Sequence, residues 1–428
     1  MKIKLYQDYK DTEIEWLPEI PKHWEVHRAK SMFNKMSRPI ALEDGIITVF
    51  RDGQVTLREN RRITGFTNAI EEYGYQGLRK GDLVFHAMDA FAGAVGVSDS
   101  DGKATAEYLV YTPINKHETH VPFYGLLLRQ MALSGFVLAL GKSVRERSPR
   151  FKHTKFVSLE LPVPPLFEQK KIAHYLDTKT AQIDRKIDLL TQKATLYSNL
   201  KQSLINETVT RGLDKTAPMK DSGIEWIGEV PKHWEVKRVK DIFIESKNKV
   251  GSESSSYKVL SLTMKGVIVR DLESNKGKIP ASFDGYQIVQ RNNIVLCLFD
   301  MDVTPRIVGY VEQEGIITSA YTIIKNKILT NMKYFYYYFL EQNRNKSLLS
   351  VSKTLRSTLN FDTFSSIELP LPLSSEQKVI ADYLDIKTAQ IDQIIQIINT
   401  QIEKLKELRK TLINDVVTGK IKVVENEH

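Results

Sequence analysis

The chain has 428 residues, 42% of them hydrophobic and 26% charged, with 61 basic against 52 acidic side chains and a single cysteine, Cys297. That length suits two to three domains with their own cores, and one thiol excludes an intramolecular disulfide and a cysteine-built zinc cage, as expected in a reducing cytoplasm. No apolar run approaches a membrane span, and the N-terminal MKIKLYQDYKDTEIEW lacks the apolar stretch of a secretory signal, so a cytoplasmic location is expected. A net charge of +9 is compatible with nucleic-acid binding but does not by itself decide it.

In chain order, Ile14–Phe33 reads IEWLPEIPKHWEVHRAKSMF and recurs without a gap as IEWIGEVPKHWEVKRVKDIF at Ile224–Phe243. The two copies hold Trp16, Trp24, Trp226 and Trp234, all the tryptophans of the chain. After the first copy, Asn34–Lys155 reads as a mixed α/β domain. Short β-rich runs fall at Ile46–Phe50, Asp82–Phe85 and Tyr108–Tyr111, followed by an apolar helix near Pro122–Leu133. Within it, FRDGQVTLRENRR gathers Arg51, Arg58, Arg61 and Arg62. A second basic group, Lys142, Arg145, Arg147, Arg150, Lys152, His153 and Lys155, closes the domain. Between them, Gly135–Ser143 (GFVLALGKS) resembles a phosphate-binding loop. It has five residues between the glycines where four are needed, and they are apolar, so it is expected to be a buried helix end before a basic loop.

Glu160–Asp184, ELPVPPLFEQKKIAHYLDTKTAQID, then opens with proline-punctuated extended chain and turns helical. Its twin is Glu368–Asp392, ELPLPLSSEQKVIADYLDIKTAQID. Leu176, Ile183, Leu190, Tyr197 and Leu204 recur every seven residues, as do Leu384, Ile391, Ile398, Leu405 and Leu412. A heptad sustained this long predicts two helices of roughly 40 residues that pair with each other, since partners on one chain meet at high effective concentration. Val209–Ser222 is polar and reads as a linker. The second variable stretch, Ile244–Thr363, repeats the same succession: strands at Tyr257–Leu262, Asn293–Phe299 and Tyr321–Ile324, then the helix NMKYFYYYFLEQNR. GVSDSDGKATAEY at Gly96–Tyr108 parallels GYVEQEGIITSAY at Gly309–Tyr321, which sets Thr105 against Thr318, and Asp89 falls opposite Asp300. Lys265, Arg270, Lys276 and Lys278 form a looser basic patch, and Lys353 and Arg356 stand where the first domain has its second basic group, Arg147 aligning with Arg356.

Catalytic signatures are missing. There is no Gly-x-Gly-x-x-Gly and no His-Glu-x-x-His; His23 and His233 are lone and are expected to support the neighbouring tryptophans, while Asp300 and Asp302 suit a turn. The basic clusters gain weight jointly because they recur at one place in both halves, and phosphate contact and base readout need such side chains on loops. The candidate DNA-binding residues are therefore Arg51, Arg58, Arg61, Arg62, Arg145, Arg147, Lys152, Lys265, Arg270, Lys353 and Arg356. No metal or cofactor is expected on this chain.

The segment SGIEWIGEVPKHWEVKRVKDIF (Ser222–Phe243) with its N-terminal twin, and the two LP-x-P…EQK-x-IA-x-YLD…QID helices, resemble a specificity subunit of a type I restriction–modification enzyme over nearly the whole chain. The one small departure is Pro18 where the second copy has Gly228. The resemblance implies a non-catalytic subunit of mixed α/β (α+β) class. Two similar target-recognition domains are separated by two long helices pairing as an antiparallel coiled coil, with an internal pseudo-twofold repeat. The expected segments are a first recognition domain over 1–160, spacer helix 161–210, linker 211–223, second recognition domain 224–368, spacer helix 369–421 and tail 422–428. The implied partners are double-stranded DNA, two modification subunits that bind S-adenosylmethionine and methylate adenine, and restriction subunits that use ATP and Mg. The alternative is a two-domain protein-binding scaffold without specific DNA recognition.

Overall fold

A computed structural model describes residues 4–61, 73–141, 150–273, 280–304, 306–352 and 357–423. They fall into two compact units, one of Met1–Leu190 with Thr400–His428, the other of Thr191–Asn399. Among the described residues no helix is long and apolar enough to cross a membrane.

In the first unit β1 (Tyr9–Asp11) pairs with β2 (Glu19–Pro21), and β3 (Glu25–Arg28) passes through one helical turn, α1 (Ala29–Met32), into β4 (Phe33–Met36). A hairpin of β5 (Ile47–Val49) and β6 (Val55–Leu57) is followed by β7 (Gln76–Leu78), β8 (Leu83–His86), β9 (Val95–Val97), β10 (Gly102–Ala104) and β11 (Tyr108–Pro113). The central antiparallel sheet has the order β4-β11-β8-β9, and β10 pairs with β7. Then come α2 (Val121–Leu133), α3 (Phe136–Gly141), α4 (His153–Ser158), β12 (Glu160–Val163), which returns to pair with β3, and the long α5 (Leu166–Arg211).

The second unit repeats this strand for strand, with a 3-10 turn at Ser347–Val351 where the first has α3. β13 (Met219–Asp221) pairs with β14 (Glu229–Pro231), and β15 (Glu235–Arg238) runs through α6 (Val239–Ile242) into β16 (Phe243–Ser246). The hairpin is β17 (Leu260–Thr263) and β18 (Gly266–Val269), followed by β19 (Gln287–Val289), β20 (Ile294–Leu296), β21 (Val308–Tyr310), β22 (Gly315–Ile317) and β23 (Thr322–Asn326). Its sheet order is β16-β23-β20-β21, with β19 on β22. After α7 (Met332–Asn345) and α8 (Phe361–Ser365), β24 (Glu368–Leu371) pairs with β15 and leads into α9 (Ser374–Val417).

The first core gathers Trp24, Phe33, Phe85, Tyr111, Phe123, Tyr124 and Phe156 around Ile172 and Leu176 of α5 and Ile413 and Val416 of α9. The second gathers Trp234, Phe243, Tyr334, Phe335, Phe339 and Phe364 around Ile205 and Val209 of α5 and Ile380 and Leu384 of α9. Each unit thus contains the start of one long helix packed antiparallel on the end of the other. Thr180, Ile187, Ala194, Lys201 and Thr208 fall between the heptad residues of α5, and Thr388, Ile395, Ile402, Arg409 and Val416 between those of α9. All of these positions are buried or half-buried, which is the three–four spacing of a coiled-coil seam. The two basic seam residues are equivalent and each finds an acid across the pair: Lys201 to Asp392 at 2.6 Å, Arg409 to Asp184 at 2.9 Å. The helices begin later than the expected spacer starts at 161 and 369, because Pro162 and Pro370 lie in strands β12 and β24. Within the expected linker, Met219–Asp221 forms β13.

One acid per unit locks this frame. In the first, Glu168 accepts from the Trp24 indole at 3.2 Å, bonds His23 Nε2 at 2.8 Å and accepts from the Tyr6 hydroxyl. In the second, Glu376 accepts from the Trp234 indole at 3.0 Å and bonds His233 Nε2 at 2.9 Å. The next residue seals the strap: the Gln169 side chain donates to the Pro164 carbonyl and accepts from the His120 amide, as Gln377 does with Pro372 and Asn331, all at 2.8 Å. The histidines therefore serve the tryptophans through a shared carboxylate.

Candidate nucleic-acid interface

Each hairpin, β5–β6 and β17–β18, lies against the sheet at a glycine. A Cβ on Gly96 would stand 1.9 Å from the Gly53 carbonyl oxygen, and one on Gly309 would stand 2.6 Å from a Leu262 methyl. The hairpin registers, Ile47 opposite Leu57 and Leu260 opposite Val269, make Arg58 and Arg270 equivalent, each the first residue after the second strand. Their amides confirm it: Arg58 N donates to Ile46 O at 2.7 Å and Arg270 N to Val259 O at 2.8 Å. Two arginines drawn from unlike sequences thus occupy one site in both units.

The expected alignment of Gly96–Tyr108 with Gly309–Tyr321 holds, whereas that of Arg147 with Arg356 lies outside the described residues. Gln76 donates to the Tyr108 carbonyl at 2.6 Å and Gln287 to the Tyr321 carbonyl at 2.9 Å, while the Tyr108 and Tyr321 amides bond Thr105 O and Thr318 O. Burial pushes both phenols above the usual tyrosine pKa, so they stay protonated donors. Tyr108 lies against the His86 ring, 4.8 Å between centroids, and Tyr321 stacks on Phe299 at 6.0 Å.

The basic residues are not one bare patch. Arg51, in the turn, pairs with Asp89 at 2.9 Å and is 69% exposed. Arg61 pairs with Asp52 at 2.8 Å and lies 4.1 Å over the Phe50 ring. The Arg58 Nε reaches Thr48 Oγ1 at 3.4 Å. Arg150 pairs with Glu107, Lys152 is exposed at the head of α4, and His153 Nδ1 meets the Tyr111 hydroxyl at 3.1 Å. Lys265 is exposed in the second turn. Arg62, Arg145, Arg147, Lys353 and Arg356, with Lys142, Lys276 and Lys278, lie outside the described residues. The segments just after two of those stretches are anchored alike, Phe151 N to Ala87 O at 2.9 Å and Leu359 N to Leu298 O at 2.7 Å. Asp300 makes a turn, its carbonyl accepting from Thr304 N at 2.8 Å with φ 47°.

Two kinds of residue escape sequence reasoning. Glu168 and Glu376 sit inside the repeated EQK, but nothing in the sequence pairs them with the distant tryptophans. Arg129 and Arg306 stand half-buried beneath the hairpin turns; the only hint was a lone arginine in the apolar LLLRQMAL. Burial, and then the charge of Arg409, lowers the Arg129 pKa. Among the described residues no group of three or more His, Cys, Asp or Glu is placed to hold a metal. What the arrangement offers is donors on two like hairpins: guanidinium, ammonium and hydroxyl groups suited to phosphate and base edges.

The profile of the type I restriction modification DNA specificity domain matches this chain twice, at residues 21–194 and 231–407. The putative type I restriction enzyme MjaX specificity subunit of Methanocaldococcus jannaschii is 24% identical over 457 residues, covering 97% of each chain. The MjaVIII specificity subunit of the same organism is 25% identical over 323 residues, 70% of each. Two solved structures share the fold. One comes from work on complex assembly and conformational transition of the type I R-M system (TM-score 0.67, 13% identity, covering 93% of this chain and 98% of that one). The other is the HsdS subunit from Thermoanaerobacter tengcongensis (TM-score 0.55, 14% identity, 94% and 98%).

Proposed function

The chain belongs to the type I restriction–modification DNA specificity family, and from that premise we propose that its two recognition domains each read one half of a split, asymmetric sequence in double-stranded DNA. The observation that carries this reading is the placement of Arg58 and Arg270 at one position of like hairpins whose turns differ in length and sequence. A common basic contact with unlike neighbours suits two readers of unlike half-sites. Exposed ion pairs such as Arg51–Asp89 contribute little stability, so a phosphate can replace the carboxylate at small cost. The repeated frame, with PKHW held by Glu168 and Glu376, suits two identical modification subunits, because a duplicated surface recruits a duplicated partner. The paired helices are assigned to spacing the readers. In this reading the chain does no chemistry; S-adenosylmethionine, ATP and Mg act on the modification and restriction subunits.

Binding of the full chain, assembled with its modification subunits, to specific and scrambled duplexes across a salt series tests the proposal. Sequence preference is expected at every salt concentration, with affinity falling tenfold or more over a modest salt range as several phosphates are neutralised. Equal, weak binding to both duplexes would favour the protein scaffold instead.

A further inference from the structure

Both hairpin turns are pinned by a guanidinium, and it comes from a different element in each unit. In the first, Arg129 of α2 donates from Nη2 to the Arg51 carbonyl at 3.1 Å. In the second, Arg306, two residues before β21, donates from Nη1 to the Met264 carbonyl and from Nη2 to the Tyr336 hydroxyl at 3.1 Å. Arg51 and Met264 are equivalent, each four residues beyond the matching ladder positions Ile47 and Leu260. The counterpart of Arg306, two residues before β9, is Gly93, where a Cβ would stand 2.8 Å from that same Arg51 carbonyl. The counterpart of Arg129 on α7 is Leu340, since Phe123 and Tyr334 each meet their unit's tryptophan edge-on at 6.4 Å. The donor has changed element while the accepting carbonyl has stayed.

These arginines are costly to keep. Each has a buried Nε with no hydrogen-bond partner among the described residues. The first turn also closes by itself, Gly53 N donating to Phe50 O at 2.9 Å. It gives up a side chain at Gly53 to make room, because a Cβ there would lie 2.4 Å from Arg129 Cδ.

We propose that Arg129 and Arg306 are positioning residues that set the pose of the hairpin turn, and with it the base preference of their own half-site, without touching DNA. The proposal rests on reading the hairpins as DNA contacts. A turn carrying Arg51 or Lys265 must be held within a fraction of an ångström for directional hydrogen bonds to discriminate, and a charged donor on the turn carbonyl supplies that restraint.

The test uses the full chain assembled with its modification subunits, methylating a DNA library randomised over both half-sites. Arg129→Met should lower methylation about tenfold or more, through relaxed or lost preference at one half-site, with the other read as before. Arg306→Met should do the same at the opposite half-site. Arg129→Lys and Arg306→Lys, which keep one donor, should fall between and decide the matter if a methionine variant fails to fold. Folded variants that read both half-sites unchanged would overturn the proposal. So would a uniform loss at every sequence, the mark of a direct phosphate contact. A wild-type complex with no sequence preference would instead overturn the DNA-reading function itself, before any variant is compared.

Discussion

The frame and the hairpins are both duplicated, but they are duplicated differently. In the frame the residues themselves repeat: Glu168 and Glu376 each hold a PKHW tryptophan and histidine, and Gln169 and Gln377 seal equivalent straps. In the hairpins only the backbone positions repeat. Arg129 and Arg306 reach equivalent carbonyls from unrelated elements, and the hairpins differ in length, one running from Ile47 to Leu57 and the other from Leu260 to Val269. On the proposed function, repeated side chains suit a surface that meets the same partner twice, and repeated backbone alone suits two different readers.

The sharpest way to break the equivalence of the frames is at the helix seam. Ile391→Asp buries an unpaired charge at a position only 7% exposed and should cost about 3–5 kcal/mol. Ile183→Asp, at the matching but half-buried position, should cost visibly less. Urea unfolding of the two variants reads the difference, and equal costs would mean that the seam is more even than its burial suggests. Next in size are the carboxylates. Glu168→Ala leaves the buried Trp24 indole and Tyr6 hydroxyl unpaired and should cost about 2–3 kcal/mol. Glu376→Ala should cost about 1–2 kcal/mol, because its side chain is 25% exposed against 10% and water can take its place. The reverse ranking in thermal or urea unfolding would deny that burial sets the strength of these nodes. Smallest are the seam ion pairs. Lys201→Met and Arg409→Met each remove one partly exposed pair and should shift stability by less than about 1 kcal/mol. Matching small shifts support the repeat; a large loss in one would reveal a seam contact that has no twin.

Much of this architecture can be read along the chain. A period of about 210 residues, the heptads and the alignment of Gly96–Tyr108 with Gly309–Tyr321 follow from local pattern, and the structure places them alike. Helix starts were harder, because the proline strap is extended for reasons of strand pairing that sequence periodicity does not carry. The basic clusters were found by composition, but composition does not say which cation is neutralised. Asp89 lies 38 residues from Arg51 and Asp52 nine from Arg61, and only folding brings each pair together. Arg58 and Arg270 were both singled out, yet their equivalence needs the ladder register, since the hairpins differ in length. Sequence does not pair Arg129 and Arg306 with the turns, because each bonds there to a carbonyl, which every residue has.

The central claim is that two independent readers sit in one duplicated frame. The most direct measurement replaces residues 34–155 by the corresponding domain of another specificity subunit and maps methylated adenines across the host genome with the original and the exchanged chain. One half of the recognised sequence should change while the other half is retained. If both halves changed, or neither did, the two domains would not be independent readers and the account would fail.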